Sequence, residues 1–108
     1  MGTNKIIKEI SLGEFKELLV SYTNKMVVGR HTLDHLSNAQ RKIFKEEELV
    51  NPLMKETPQG VGLQANGRYS AFFRRKEGYL RVIFEAKKEK LEIITFTNPD
   101  TMPNLKKL

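Results

Sequence analysis

The sequence predicts an α+β domain in which two or three helices precede an antiparallel sheet of about four strands. The first half of the chain carries apolar residues at helical spacing, behind a serine that is suited to cap a helix. Residues 68–97 instead alternate polar and apolar side chains between short turns, as half-buried strands do. The 108 residues fit a single domain, with a core over about 11–97 and a tail over 98–108 that is mobile unless it docks.

The first helix is predicted over 12–22. Ser11 and Glu14 have the spacing of a capping box, in which the serine hydroxyl accepts from a free backbone amide and the glutamate reaches back to the helix start. Apolar residues then recur every three or four positions, which places them on one side of the helix. We therefore expect that side to pack on the core.

Two further helices are expected before the sheet. The second is predicted to begin near His31 or Thr32, because the apolar residues that follow recur at helical spacing and form a narrow stripe on one side. The third is predicted over 45–51, because acidic residues in its first turn interact favourably with the helix dipole. Pro52 is expected to end or kink this helix, since the residue before a proline is pushed out of helical geometry.

The strands of the sheet follow these helices. They are predicted over 61–65, 68–75, 79–86 and 91–97, the first of them as a short edge strand. The turns between them are expected at residues 66–67, 77–78 and 88–89. The first of these turns is an Asn-Gly pair, which is a strong hairpin signal.

Turns at these positions divide the strand residues between two faces. The apolar face, predicted to pack on the helices, comprises Tyr69, Ala71, Phe73, Leu80, Val82, Phe84, Leu91 and Ile93. The opposite face, which mixes arginines with rings, comprises Arg68, Ser70, Phe72, Arg74, Arg81, Ile83, Glu85, Ile94 and Phe96. This division depends on the turns, because a slip of one residue moves the side chains of a strand to the other face.

The charge of the chain favours an anionic partner. The formal net charge is +6 and the sequence pI is about 9.7, which suits RNA, DNA, a membrane surface or an acidic protein. A basic surface that only maintains solubility is the alternative. The chain has no cysteine, and no apolar run approaches the length of a membrane span. We therefore expect a cytoplasmic protein without a membrane partner.

The two histidines, His31 and His35, are the candidate chemical groups. Their i, i+4 spacing would allow them to share a metal ion on one side of a helix. Catalytic zinc needs a third protein ligand, however, and the chain has no other histidine or cysteine, so we expect no metal and no cofactor. A histidine can instead move a proton during RNA cleavage. Alternatively, neither histidine has a chemical role: His31 lies at the start of a helix, and His35 is an exposed surface residue.

Cations and rings of the sheet are candidates for binding nucleic acid. The cations that could hold a phosphate through two hydrogen bonds are Arg41, Arg68, Arg74 and Arg81. Phe72 and Phe96 are the predicted surface rings, on which unpaired bases could stack. We count His35 among the binding residues, and Thr95 could contact a phosphate at the end of the sheet. Alternatively, the arginines only prevent the exposed sheet from associating with other chains.

Several short motifs also follow one another in a recognisable order. They are His31, then RKI from Arg41, EEEL from Glu46, GRY from Gly67, LRVI from Leu80 and IITF from Ile93. Over roughly 28–97 this order resembles a small uncharacterised-domain family similar to the barnase–EndoU–colicin–RelE group of metal-independent RNases. That group includes toxins of toxin–antitoxin modules. The resemblance implies helices followed by a curved antiparallel sheet of about four strands.

The resemblance also implies a catalytic set. It consists of His31, Arg41, Arg68 and a hydroxyl late in the last strand, Thr95 or Thr97. We therefore predict a toxin-like, metal-independent RNA endonuclease that cleaves by 2′-hydroxyl attack. Its predicted partners are RNA and an antitoxin-like or other acidic protein, and nothing in the sequence indicates an oligomeric state. The alternatives are a non-catalytic nucleic-acid-binding protein and a protein-interaction module of a mobile element.

Overall fold

The computed structural model describes residues 5–30, 32, 34 and 46–107 of the chain. These residues form one mixed sheet with two α-helices packed against one of its faces. In chain order the elements are β1 (Ile6–Ile10), α1 (Leu12–Val20), β2 (Met26–Val28), α2 (Glu47–Lys55), β3 (Gly60–Gln64), β4 (Tyr69–Arg75), β5 (Gly78–Ala86) and β6 (Leu91–Thr97), followed by a short 3-10 helix (Leu105–Lys107). The six strands lie in the order β1-β3-β4-β5-β6-β2.

The predicted fold class is wrong in its element order and in its sheet. Strand β1 precedes the first helix and β2 follows it, so the helices do not simply precede the sheet. The sheet has six strands instead of about four, and β2 pairs with β6 in parallel. Strand β3, predicted at an edge, lies between β1 and β4. The two missed strands are short and pair with distant parts of the chain, so local periodicity does not reveal them.

The predicted start of the first helix is confirmed. The backbone N–H of Glu14 donates to Ser11 Oγ at 3.2 Å, and the helix ends at Val20, two residues before the predicted end. Phe15 and Leu19 are the buried residues of this helix. Of the predicted second helix, only two positions, 32 and 34, are among the described residues. Neither α1 nor α2 is long and apolar enough to cross a membrane.

Helix α2 continues through Pro52, which was expected to end or kink it. Pro52 lies inside the helix, which runs on to Lys55, and the backbone N–H of Glu56 donates to the carbonyl of Pro52 at 3.0 Å. The proline removes one helical hydrogen bond. Its ring is buried together with Leu49 and Leu53, so packing on the sheet stabilises a helix that local geometry disfavours.

The predicted apolar face of the sheet is confirmed. Its buried members are Ala71, Phe73, Leu80, Val82, Phe84, Leu91 and Ile93, with Tyr69 half-buried against them. The turn between β4 and β5 lies at 76–77 instead of 77–78, because Arg75 pairs with Gly78. The pairing is therefore displaced by two residues from the predicted register. A displacement by an even number leaves every side chain on its predicted face.

A bulge in β6 reverses the faces of the two candidate residues that follow it, Thr95 and Phe96. The β5–β6 register shifts between Ile83 and Phe84, which leaves Ile94 as an extra residue in β6. Beyond the bulge, Phe96 lies opposite Val82 and is buried in the core. The prediction that Phe96 is a surface ring is therefore wrong.

The C-terminal segment, residues 98–107, lies against the sheet face opposite the helices. Leu105 of this segment is buried in a second apolar cluster with Ile6 and Phe72, and Met102 packs against the cluster. Phe72 is only 1% exposed. The prediction that Phe72 is a surface ring is therefore wrong, because side chains from the two ends of the described chain pack around its ring.

Candidate nucleic-acid interface

The sheet face opposite the helices carries several of the predicted binding residues beside the C-terminal segment. We call this region the polar face; it comprises Gln64, Arg68, Ser70, Arg81, Glu85, Lys87, Glu92 and Thr95. The strand registers place these residues together, since Ser70 pairs with Ile83 and Ile83 with Thr95. Four adjacent strands, β3 to β6, therefore contribute to one surface.

Arg81 is held in place from three directions. Its Nε donates to Ser70 Oγ at 3.0 Å and its Nη2 donates to Gln64 Oε1 at 3.1 Å, while its Cζ lies 5.3 Å from the centroid of the Phe72 ring. The Ser70 hydroxyl in turn donates to Gln64 Oε1, and both Ser70 and Gln64 are buried. Burial lowers the pKa of Arg81, but an arginine stays charged at neutral pH. The result is an oriented, partly desolvated guanidinium.

Arg68 and Lys87, two further cations of the polar face, are paired with carboxylates. Arg68 Nε lies 3.2 Å from Glu85 Oε1, and Lys87 Nζ lies 2.5 Å from Glu92 Oε1. The hydrogen bond from Lys87 lowers the pKa of the Glu92 carboxyl. The same bond raises the pKa of the Lys87 ammonium. Half-exposed pairs of this kind contribute little to stability, so a phosphate can replace Glu85 as the partner of Arg68 at little cost.

The chain after β2 is attached to the β6 bulge. The backbone N–H of Gly29 donates to the carbonyl of Ile93 at 2.8 Å. The hydroxyl of Thr32, which is only 1% exposed, donates to the carbonyls of Ile93 and Ile94 at 2.9 and 3.0 Å. The bulge is followed directly by Thr95. Gly29 and Thr32 are therefore tied to β6 next to Thr95.

Three of the predicted functional residues cannot be placed on this surface. His31, His35 and Arg41 lie outside the described residues. Their predicted roles in proton transfer and phosphate binding stay predictions.

The remaining predicted residues are distributed along the sheet. Arg68 and Arg81 lie on the polar face, as the alternation of the strands predicted. Thr95 also lies there, but the alternation would place it on the apolar face with Ile93, and the bulge at Ile94 moves it to the polar face. Arg74 is exposed near the other end of β4, where its guanidinium lies over a tyrosine ring. Thr97, the alternative hydroxyl, is exposed opposite Arg81.

Two residues that position Arg81 were not predicted. Gln64 and Ser70 both accept hydrogen bonds from its guanidinium. Ser70 was assigned to the correct face, but a buried glutamine in β3 is recognisable as its neighbour only once the β3–β4 register is known. In that register Gly62 lies opposite Ser70, so Gln64 reaches Ser70 diagonally across the pair.

No family model, curated protein or solved structure matches this chain. The resemblance to the barnase–EndoU–colicin–RelE group therefore stays a prediction. Among residues 5–30, 32, 34 and 46–107, no three histidine, aspartate or glutamate side chains are close enough to hold a metal ion together.

Proposed function

We propose that the protein binds single-stranded RNA on the polar face and cleaves it as a metal-independent endonuclease in the cytoplasm. The observation that supports this proposal best is the oriented guanidinium of Arg81, held by Ser70 and Gln64 on the same face as Arg68 and Thr95. A planar guanidinium fixed in this way can bind a phosphate through two hydrogen bonds. Such binding positions the RNA backbone without a requirement for a particular base.

In the proposed reaction the ribose 2′-hydroxyl attacks the adjacent phosphorus. His31 accepts the proton that the 2′-hydroxyl loses and gives a proton to the leaving 5′-oxygen, while Arg41 and Arg68 stabilise the additional negative charge on the phosphate oxygens. The 5′-oxygen of the next nucleotide leaves, which produces a 2′,3′-cyclic phosphate.

The catalytic proposal is tested with His31→Ala and His35→Ala variants. We expect His31→Ala to lower kcat on single-stranded RNA by roughly 10²–10⁴-fold, the usual contribution of a general acid or base. We expect His35→Ala to change mainly KM, because His35 is assigned to binding. Cleavage should continue in EDTA, and DNA, which lacks the 2′-hydroxyl, should stay intact. Cleavage of DNA, loss of activity in EDTA, or full activity of His31→Ala would contradict the mechanism.

A non-catalytic RNA-binding protein is the second candidate. The pairing of Arg68 with Glu85 favours it, because a carboxylate that already compensates the charge of Arg68 reduces what this arginine can contribute to stabilising a scissile phosphate. Both candidates predict RNA binding that weakens with salt. The length of the RNA after incubation distinguishes the two candidates. RNAs of varied sequence that are recovered at full length after prolonged incubation would support binding without cleavage.

A further inference from the structure

A groove lies between the two helices on the side of the sheet away from the polar face. Its volume is about 360 Å³, and we call it the helix groove. Its apolar lining includes Phe15, Leu19, Val20, Met26, Leu53 and Met54. Phe15, Leu19 and Leu53 form a buried floor, because they also belong to the core of the domain.

The edges of the helix groove expose apolar side chains to solvent. Val20 at the end of α1 is 74% exposed, and Met54 near the end of α2 is 49% exposed. An exposed methionine beside a concave apolar floor is typical of surfaces that bind varied helical partners. The two side chains lie on opposite helices of the same groove, so one ligand can contact both.

The charges around the helix groove are arranged for an acidic ligand. Lys16 and Lys55 line it, one from each helix. The single carboxylate in the lining, Glu56, is held by both terminal nitrogens of Arg75 at 2.8 and 3.0 Å, so its charge is compensated. The carboxylates of α1 are on its other side, where Glu14 and Glu17 line a separate depression.

We propose that the helix groove binds an acidic amphipathic helix of a partner protein. The apolar side of that helix packs on the floor between Val20 and Met54, and its carboxylates pair with Lys16 and Lys55. Helix α1 has nine residues, so at a rise of about 1.5 Å per residue the partner needs only about two to three turns to cover the groove. Anchors at i, i+3, i+4 and i+7 are the pattern that such a groove recognises.

A second copy of this chain fits the helix groove less well. In a two-fold contact the same patch lies on both sides of the interface. Lys16 and Lys55 of one copy would then enter the same interface as Lys16 and Lys55 of the other, and like charges brought together oppose association. A partner that supplies carboxylates removes this repulsion.

The proposal is tested by selecting ligands from a displayed library of random 16-residue peptides. Selected peptides should carry net negative charge, contain apolar residues at helical spacing and become helical on binding. Binding of labelled peptides is then measured by fluorescence anisotropy. Val20→Ser with Met54→Ser, and separately Lys16→Glu with Lys55→Glu, should each weaken binding by about tenfold or more. The matched controls Val27→Ser and Lys88→Glu, which alter exposed residues outside the groove, should leave it unchanged.

Several results would overturn the proposal. They are a failure to select any binder, selection of basic or extended peptides, and equal affinity of the groove variants and the controls. A dimer in sedimentation equilibrium that dissociates in the Val20→Ser variant would assign the groove to a second copy instead. All of these results are independent of RNA binding, which is measured on the other side of the sheet.

Discussion

Arg81 illustrates how the polar face is prepared for an anion at the scale of one residue. Its guanidinium contacts two buried polar side chains and lies over the Phe72 ring, so few of its rotamers remain accessible. An arginine that is already ordered loses less side-chain entropy when it binds a phosphate. The Arg68 side chain is 36% exposed and its Nε donates to Glu85 Oε1 at 3.2 Å, so it has more rotamer freedom to lose on binding. We therefore expect Arg81 to contribute more to affinity than Arg68.

Phe84 is the residue on which the core most clearly depends. It is fully buried, with its ring centroid 5.4 Å from that of Tyr69 and 6.3 Å from that of Phe15. Replacing it with alanine removes these contacts and leaves a cavity between helix and sheet. We expect Phe84→Ala to lower the free energy of unfolding by about 3–5 kcal/mol, measured by urea denaturation.

The control for Phe84 is Val27, an apolar residue that is 40% exposed. Val27→Ala should change the free energy of unfolding by less than about 0.5 kcal/mol. Equal effects of the two substitutions would mean that Phe84 is not part of the core.

At the residue scale, the sequence predicted the faces of most strand side chains but not what covers them. The alternation in β4 and β5 correctly placed Phe73, Val82 and Phe84 on the core face. It also placed Phe72 on the opposite face, but that face is covered at this point by Leu105, more than thirty residues away. Alternation identifies the side of a sheet, whereas burial depends on whether another segment docks there.

At the scale of elements, strands joined by short turns were predictable and isolated strands were not. Strand β6 has its predicted bounds, and β4 and β5 each differ from theirs by one residue. These strands are neighbours in both sequence and space. Strands β1 and β2 pair only with segments far along the chain, so their formation depends on contacts that no local pattern records. The bulge in β6 was also unpredictable, because it follows from the register between two strands.

Gly78, the first residue of β5 after the β4–β5 turn, gives a prediction about the turn and the C-terminal segment. Gly78 has φ +103°, and a Cβ at this position would lie 2.6 Å from the backbone oxygen of Pro99. Gly78→Ala therefore combines an unfavourable backbone conformation with a clash against the C-terminal segment. Gly67 in the β3–β4 turn is a matched control, since its φ is +85° but a Cβ added there would meet no atom within 4 Å.

Both glycine substitutions carry the backbone cost of a non-glycine residue at positive φ, about 1–2 kcal/mol. We expect Gly67→Ala to show that cost alone and Gly78→Ala to exceed it. The measurement is the midpoint of urea unfolding with unchanged slope. If the two variants were equally stable, the C-terminal segment would not be fixed against the β4–β5 turn.

At the scale of the whole molecule, the sheet separates two surfaces of different chemistry. The polar face presents arginines from β4 and β5, whereas the helix groove presents apolar side chains with lysines at its edges. The sequence predicted the first surface because strand alternation places its arginines. The second could not be predicted, because it forms between helices α1 and α2, which are separated by more than twenty residues. An RNA and a protein partner could therefore bind at the same time.

The net charge of +6 gives the last prediction, which concerns RNA affinity and salt. Each phosphate contact releases counterions, so the logarithm of the binding constant for single-stranded RNA falls with the logarithm of salt concentration by about 0.7 per contact. Contacts from Arg68, Arg74 and Arg81 give an expected slope of roughly −2. Binding of a short labelled RNA is measured by anisotropy between about 50 and 200 mM salt.

A pair of variants distinguishes local contacts from net charge. Arg81→Gln and Lys16→Gln remove the same charge, but Arg81 lies on the polar face and Lys16 lines the helix groove on the other side of the sheet. We expect Arg81→Gln to reduce the size of the slope by about 0.7 and to weaken binding, because one phosphate contact is lost. Lys16→Gln should leave the slope nearly unchanged, since a charge on the far side is screened within about 10 Å. Equal slopes for the two variants would show that RNA responds to the overall charge and does not bind the polar face.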